Sequence, residues 1–338
     1  MSDPVLVEVT RGSRVESVHR GAIAVVDASG VVRAAIGDIG QRVFPRSAVK
    51  SIQQLPLVES GAADRYGLGN AELALACSSH NGEPRHVATA RRMLAAAGRS
   101  EADLACGGHP PAGHEAADAL VRAGEPWGRI HDNCSGKHSG FICLACGLGL
   151  DPAGYEKPDH PAQRAIFAAL ADVTGTDLGE PAVDGCSIPA YAIPLQNLAQ
   201  GFARMATGDG LPRGRAAAAR RLIDACNAEP FMMAGTGRYD TAMLTAFGKR
   251  LFLKGGAEGV ICAALPEQGF GIAIKVDDGS GRAIEPLLSA VLDALLPMDE
   301  RERNVVAARR VQAITTRTGA PVGEIRPVEG LAVALKAS

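Results

Sequence analysis

Apolar and polar positions along the first forty residues predict strands over 5–10 and 20–37, the second broken at Ala28-Ser29-Gly30 so that Ala22–Val26 and Val31–Ile36 form a hairpin. The period then changes. Pro45 fits a helix start, a helical patch over 71–76 ends in the polar loop 77–83, and Pro84 opens a helix that runs to Ala97. Ser100 caps a short helix, the stretch 107–111 breaks the chain, and a further helix is predicted over 114–123. Residues 131–140 are dense in polar side chains and lead into an apolar run over 141–150. Helices are predicted over 160–173, 191–206, 213–228 and 240–247. A proline-closed turn at 183–189 and a glycine-bracketed loop at 229–240, with Asp240 as an N-cap, separate them. Strand, turn and strand follow over 250–276, and a helix over 280–296 covers them. The final segment starts charged and ends in Leu331–Leu335, which reads as a last strand or edge. With no internal repeat, residues 1–338 are expected to form one domain of α/β (α+β) class, an antiparallel sheet flanked by helices.

Composition narrows the functional classes. The chain has 338 residues, 46% of them apolar and 21% charged, enough to bury a large core. Its 35 basic and 37 acidic residues nearly balance and only 4% are aromatic, so nothing suggests a nucleic-acid surface, and a small-molecule substrate is expected. The first residues show no basic, apolar and small-residue succession, and no apolar run has bilayer length. The expectation is therefore a cytoplasmic protein without membrane contact. Its eight cysteines then read as reduced core or ligand residues.

The chemistry begins at Ser47, three residues before Lys50, a spacing that places both on one helical face. Serine becomes a nucleophile near neutral pH only if a base takes its proton, and a lysine can do so only when uncharged. At an unperturbed pKa of ~10.4 fewer than about one amine in a thousand is free at pH 7; tuning to ~7 to 8 frees roughly a tenth to a half. A Ser-x-x-Lys spacing arises by chance about once in a chain this long, so further motifs must agree.

They do. Ser47-x-x-Lys50, Ser79-x-Asn81 and Lys254-Gly255-Gly256 follow the order of the three motifs of penicillin-binding proteins and serine β-lactamases, with Gly255 where threonine is usual and with the first two motifs closer together. A closer resemblance covers residues 13 to 276. The segments 13–21, Arg46 to Lys50, 79–83, 133–138, 184–186 and 254–259 look like the asparaginase II family, the rhizobial-type or class 3 L-asparaginases. What the resemblance implies is a homodimer of serine β-lactamase-like fold that hydrolyses L-asparagine to L-aspartate and ammonia. It further implies two serine-lysine pairs, Ser47 with Lys50 and Ser79 with Lys254, and a zinc site of Cys134, Lys137 and Cys186 beside the serines. Spacing alone would make Cys134 and Cys186 buried core cysteines.

Within that reading Ser47 attacks the side-chain amide, Lys50 is its base, Ser79 relays a proton to departing ammonia, and Lys254 depresses the pKa of Lys50 by like-charge repulsion. Substrate contacts are expected from Arg46, Asp184 and His138, with His131, Asp132 and His138 also open as outer-shell partners of the metal. Arg46 reads equally as a solvated helix-end arginine. Two other functions remain open: another serine amidohydrolase of the same fold (a glutaminase or a β-lactam or peptide hydrolase), or a noncatalytic, zinc-stabilised amino-acid binding protein.

Overall fold

Gly12, at φ 57°, turns the chain between the first two strands of an eight-stranded antiparallel sheet. The computed structural model describes residues 2–336. The sheet comprises β1 (Val5–Arg11), β2 (Arg14–Asp27), β3 (Val32–Ile36), β4 (Phe252–Gly255), β5 (Val260–Leu265), β6 (Phe270–Val276), β7 (Gln312–Thr315) and β8 (Pro321–Pro327). Their order is β7-β8-β1-β2-β6-β5-β4, with β3 also paired to β2. The 14-residue β2 is shared between two halves: its first part pairs with β1, and Gly21–Asp27 pair with β6. Ala22 to Val26 are all at most 1% exposed, as a strand covered on both faces must be, whereas Val15 and Val18 in the first part lie open.

The helix Leu195–Thr207 lies against β2, β5 and β6. Gly271 permits that approach, since a Cβ there would sit 1.8 Å from the carbonyl oxygen of Ala199. The helix Ile284–Leu295 packs against β1, β5, β6 and β8. Away from the sheet, Asn70–Ala76 is held between Ser135–Gly147 and Arg213–Ala228, and this arrangement fixes the loop that follows it. Among the described residues no helix is long and apolar enough to cross a membrane.

The expected class, an antiparallel sheet flanked by helices, is what is observed, with local corrections. The end of the chain is a helix, Leu331–Lys336, where a strand was expected. Leu331 and Leu335 are buried and Val333 is 70% exposed, the i, i+4 pattern that a five-residue apolar run is too short to declare. Strands β7 and β8 were not foreseen: β7 is only four residues long, and β8 is bounded by prolines and only partly buried. The helix expected from 191 begins at Leu195, after two-residue strands at Pro189–Ala190 and Ile193–Pro194.

Candidate active site

The chain enters the site through Arg42–Val43, paired with Ile193–Pro194, then turns through a 3-10 segment, Arg46–Val49, into the helix Lys50–Gln53. Arg46 holds φ 51°, a left-handed conformation that costs a non-glycine residue about 1–3 kcal/mol. The strain is held by an ion pair from Arg46 Nε to Asp184 Oδ1 at 2.8 Å. Ser47 is half-buried, and its hydroxyl has no hydrogen-bond partner among the described residues.

Lys50 is 1% exposed, and its amine donates to Ser78 O at 2.6 Å and to Ser79 Oγ at 3.0 Å, with Asn133 O at 3.5 Å. The amine is thus committed to the second serine, where the sequence paired it with Ser47. Ser79 lies in an extended loop whose backbone is fixed by Ser79 N to Met233 O at 3.1 Å and Asn81 N to Ala234 O at 2.8 Å. Lys254 reaches the site from β4, whose end packs against the Ser47 turn so closely that a Cβ on Gly256 would lie 2.6 Å from Pro45 O. This explains glycine at 256: a side chain would push the Ser47 turn away.

Lys254 Nζ donates to Gly255 O at 2.7 Å and faces Asp240 Oδ2 at 3.6 Å. Burial pushes its pKa down to about 8; Asp240 opposes the shift, while Lys50 and Arg238 add to it. About a tenth of its amines are then neutral at pH 7.

Two cavities meet at this point. One, of 370 Å³, is bordered by Ser79, Arg238, Asp240 and Glu285; the other, of 210 Å³, by Arg46, Asp184, Cys134 and Cys186. Ser47, Asn133 and Ala257 border both. The backbone N–H groups of Ser47 and Ala257 give no hydrogen bond among the described residues, so both are available to an oxygen placed between them.

The smaller cavity holds the sulfur chemistry. Cys134 precedes the helix Ser135–Gly147, and Asp132 Oδ1 accepts its N–H at 2.7 Å. Gly136 lies so close to Leu75 O that a Cβ would come within 2.3 Å, and this packing aims Lys137 inward. Lys137 Nζ donates to Cys186 Sγ at 2.8 Å. Cys186 sits on a turn, Asp184 to Ser187, closed by Ser187 N to Asp184 O at 2.8 Å, with Ser187 at φ 75°. Cys134 Sγ donates to Asn133 Oδ1 at 3.1 Å and Cys186 Sγ to Asp184 Oδ2 at 3.8 Å. The neighbouring Cys186, helped by Lys137 and Lys50, holds the Cys134 thiol well below its ordinary range against burial, and the Cys186 thiol is pushed up by Cys134 and by burial. Burial works against the charge on Lys137, but the two sulfurs outweigh it and its pKa is raised. Two sulfurs and one amine therefore converge, all at most 6% exposed. Among the described residues no group of three or more His, Cys, Asp or Glu is placed to hold a metal, so any ion here would need the lysine nitrogen as a ligand.

The geometry brings together Ser47, Lys50 and Ser79, and beside them Arg46, Asp184, Cys134, Lys137 and Cys186; Lys254, expected to pair with Ser79, is near Lys50 but bonds Gly255 O and faces Asp240, and Ser79 Oγ is taken by Lys50. His138 is not among them. It is fully buried behind Lys137, with Nδ1 on the Tyr155 hydroxyl at 2.5 Å, and it borders neither cavity. One helical step separates it from Lys137, and that step turns it into the core. His131 bonds Gly128 N through Nδ1, and Asp132 caps Cys134.

Three participants were missed by sequence reasoning. Asp240, read as a helix cap, is the carboxylate facing Lys254. Asn133 supplies a wall of both cavities. Glu83 binds Thr236 N at 2.7 Å, Thr236 Oγ1 at 2.8 Å and Asn81 Nδ2 at 3.1 Å, and Asn81 Oδ1 in turn accepts from Arg238 Nη1 at 2.9 Å. The available signals were Asn81 within its motif and the family-like segments 79–83 and 133–138, which contain Glu83 and Asn133.

Solved structures similar to this chain include a β-lactamase from Mycobacterium bovis, 15% identical, covering 81% of this chain and 94% of that one with a TM-score of 0.37. Mglu in its native form is 18% identical at a TM-score of 0.35, with 86% of this chain covered and 63% of Mglu, so the chain spans a little under two thirds of that protein. Simvastatin synthase from Aspergillus terreus is 13% identical, covering 76% and 86%, with a TM-score of 0.35. No curated protein matches the sequence. The family profile described as L-asparaginase II matches residues 7–327, nearly the whole chain, and the protein belongs to the L-asparaginase II family of amidohydrolases.

Proposed function

We propose that the protein hydrolyses L-asparagine to L-aspartate and ammonia through an ester on Ser47. The observation that carries this reading is the position of the Ser47 hydroxyl, unpartnered at the wall shared by the two cavities, with the Lys50–Ser79 hydrogen bond at 3.0 Å beside it. Arg46 and Asp184, one charge of each sign on the smaller cavity, take the α-carboxylate and α-ammonium of the substrate. Ser47 Oγ bonds to the side-chain amide carbon as its proton passes to the Lys50–Ser79 pair, and the carbonyl oxygen turns negative between the N–H groups of Ser47 and Ala257. The carbon–nitrogen bond breaks as Ser79 returns a proton to the nitrogen, and ammonia leaves. Water then attacks the ester, the bond to Ser47 Oγ breaks, and the serine regains its proton. Lys254, partly neutral near pH 7, exchanges protons with this cluster under the control of Asp240.

Cys134, Lys137 and Cys186 would hold a zinc ion: the two buried sulfurs are ordinary zinc donors, and Lys137, which here donates to Cys186 Sγ, would have to give up a proton to join them. Such an ion would supply positive charge beside the substrate head, and the thiols would release their protons on binding it. The same reading carries a homodimer.

Ammonia release from L-asparagine, L-glutamine and a chromogenic β-lactam tests the assignment. Fast release from asparagine alone supports it. Turnover of the β-lactam or glutamine instead assigns another amidohydrolase, and asparagine binding without ammonia would leave a binding protein. The Lys50–Ser79 contact favours one second reading, in which Ser79 is the nucleophile.

A further inference from the structure

The cavity on the far side of Ser47 from Arg46 and Asp184 is too large for the group that the reaction above would send there. Departing ammonia needs about the space of a water molecule, roughly 30 Å³. The cavity bordered by Ser79, Arg238 and Glu285 measures 370 Å³, within the span of about 300–1,000 Å³ usual for organic ligands. Its chemistry is specific as well. Arg238 is half-buried and commits only Nη1, to Asn81 Oδ1 at 2.9 Å and Ser79 O at 3.5 Å, so that Nε and Nη2 remain free donors. Glu83 braces Asn81 from behind, which holds the guanidinium in place. Ile261, Ile284 and the ring of Tyr239 add apolar wall, and Tyr239 is pinned by its hydroxyl to Ser289 Oγ at 3.1 Å. Glu285, also on the cavity wall, shares Oε2 with Arg309 and Gln312, each at 3.1 Å.

We infer that this cavity is a leaving-group site for amines larger than ammonia that carry a carboxylate, so that β-aspartyl dipeptides, in which an amino acid is joined to the side-chain carboxyl of aspartate, are also substrates. The inference rests on the assignment of Ser47 and the smaller cavity above. In the reaction, Ser47 Oγ bonds to the aspartyl side-chain carbonyl carbon, the bond from that carbon to the nitrogen of the second amino acid breaks, and the nitrogen takes the proton that Ser47 lost. Water then cleaves the ester, giving aspartate and a free amino acid. Arg238 holds the carboxylate of the departing residue, and the apolar wall receives its side chain.

The test compares three substrates on the purified full chain: L-asparagine, β-aspartyl-alanine and β-aspartyl-alaninamide, with aspartate as the common product. Cleavage of β-aspartyl-alanine with kcat/KM roughly ten- to a hundredfold above the alaninamide is expected, the value of one charge-assisted pair. In Arg238→Gln that preference should collapse toward one, and Ile284→Trp should lower the ratio of dipeptide to asparagine turnover at least tenfold. If asparagine is hydrolysed and neither dipeptide is, the inference fails while the asparaginase reading stands. Equal turnover of dipeptide and alaninamide overturns the role of Arg238 without any variant having to fold. If dipeptide is cleaved but asparagine is not, the leaving-group site stands and the substrate assigned above falls. If none is cleaved, both fall.

Discussion

The amine of Lys50 lies 3.0 Å from Ser79 Oγ, although Lys50 follows Ser47 by three residues and Ser79 belongs to another loop. Lys50 is thus tied to Ser47 through the chain and to Ser79 through a hydrogen bond. In the mechanism proposed above, the Ser47 hydroxyl must first turn onto the Lys50 amine, and Ser79 is then one hydrogen bond further on.

Removing either hydroxyl should separate their roles. Ser47→Ala is expected to lower kcat on the order of a thousandfold or more, and Ser79→Ala roughly 10²–10⁴-fold with KM little changed. Acid quenching during turnover followed by peptide mapping should place the aspartyl ester on the peptide containing Ser47. An ester on Ser79 would make it the nucleophile.

The buried amine of Lys254 gives the enzyme a pH signature. Its pKa is about 8 in the folded chain against 10.5 unfolded, so between those values the unfolded chain binds more protons and stability rises with pH. Below pH 8 the whole cost is present, about 3 kcal/mol relative to pH above 10.5. Activity that needs the neutral amine should rise along a limb near pH 8. Asp240 raises the pKa of Lys254, so Asp240→Asn should move that limb to lower pH. A pH-rate profile of kcat/KM for both proteins checks the direction, and a limb that does not move removes Lys254 from the titrating step.

Metal analysis of purified protein should find about one zinc per chain, and Cys186→Ser should lose it. Cobalt substitution adds a readout independent of activity, since thiolate ligation produces charge-transfer absorption. Well under one metal per chain would leave Cys134, Lys137 and Cys186 as a hydrogen-bonded thiol cluster.

Gly271→Ala places a methyl group 1.8 Å from Ala199 O, so the helix Leu195–Thr207 must retreat from β6. A loss of roughly 2–4 kcal/mol in denaturant unfolding is expected, with m unchanged. An unchanged midpoint would mean that the helix shifts freely.

How far these features were legible in the sequence follows from what each depends on. Ser47, Lys50, Ser79 and Lys254 announced themselves because short motifs fix their local geometry, and continuous apolar runs such as Ala22–Val26 declared the sheet. Partnership across the fold was not written locally. The turn of Lys50 toward Ser79 depends on the loop at 78–81, and the use of Asp240 depends on β4 arriving beside it. His138 shows the reverse error: polar identity next to a functional lysine suggested a site residue, but its helix face is the core face. The strand β7 was missed because four residues are too few to show a period, and β8 because its bounding prolines and even, partial burial leave little alternation.

The pairing of β1 with β8 joins Val7 to Pro327. During synthesis the partner emerges about 320 residues later, roughly 15–60 s at about 5–20 residues per second. Until then the first hairpin must wait with an open edge, exposed to wrong partners and dependent on whatever shelters nascent chains. Slowing or truncating translation before residue 321 would leave that edge of the sheet unpaired.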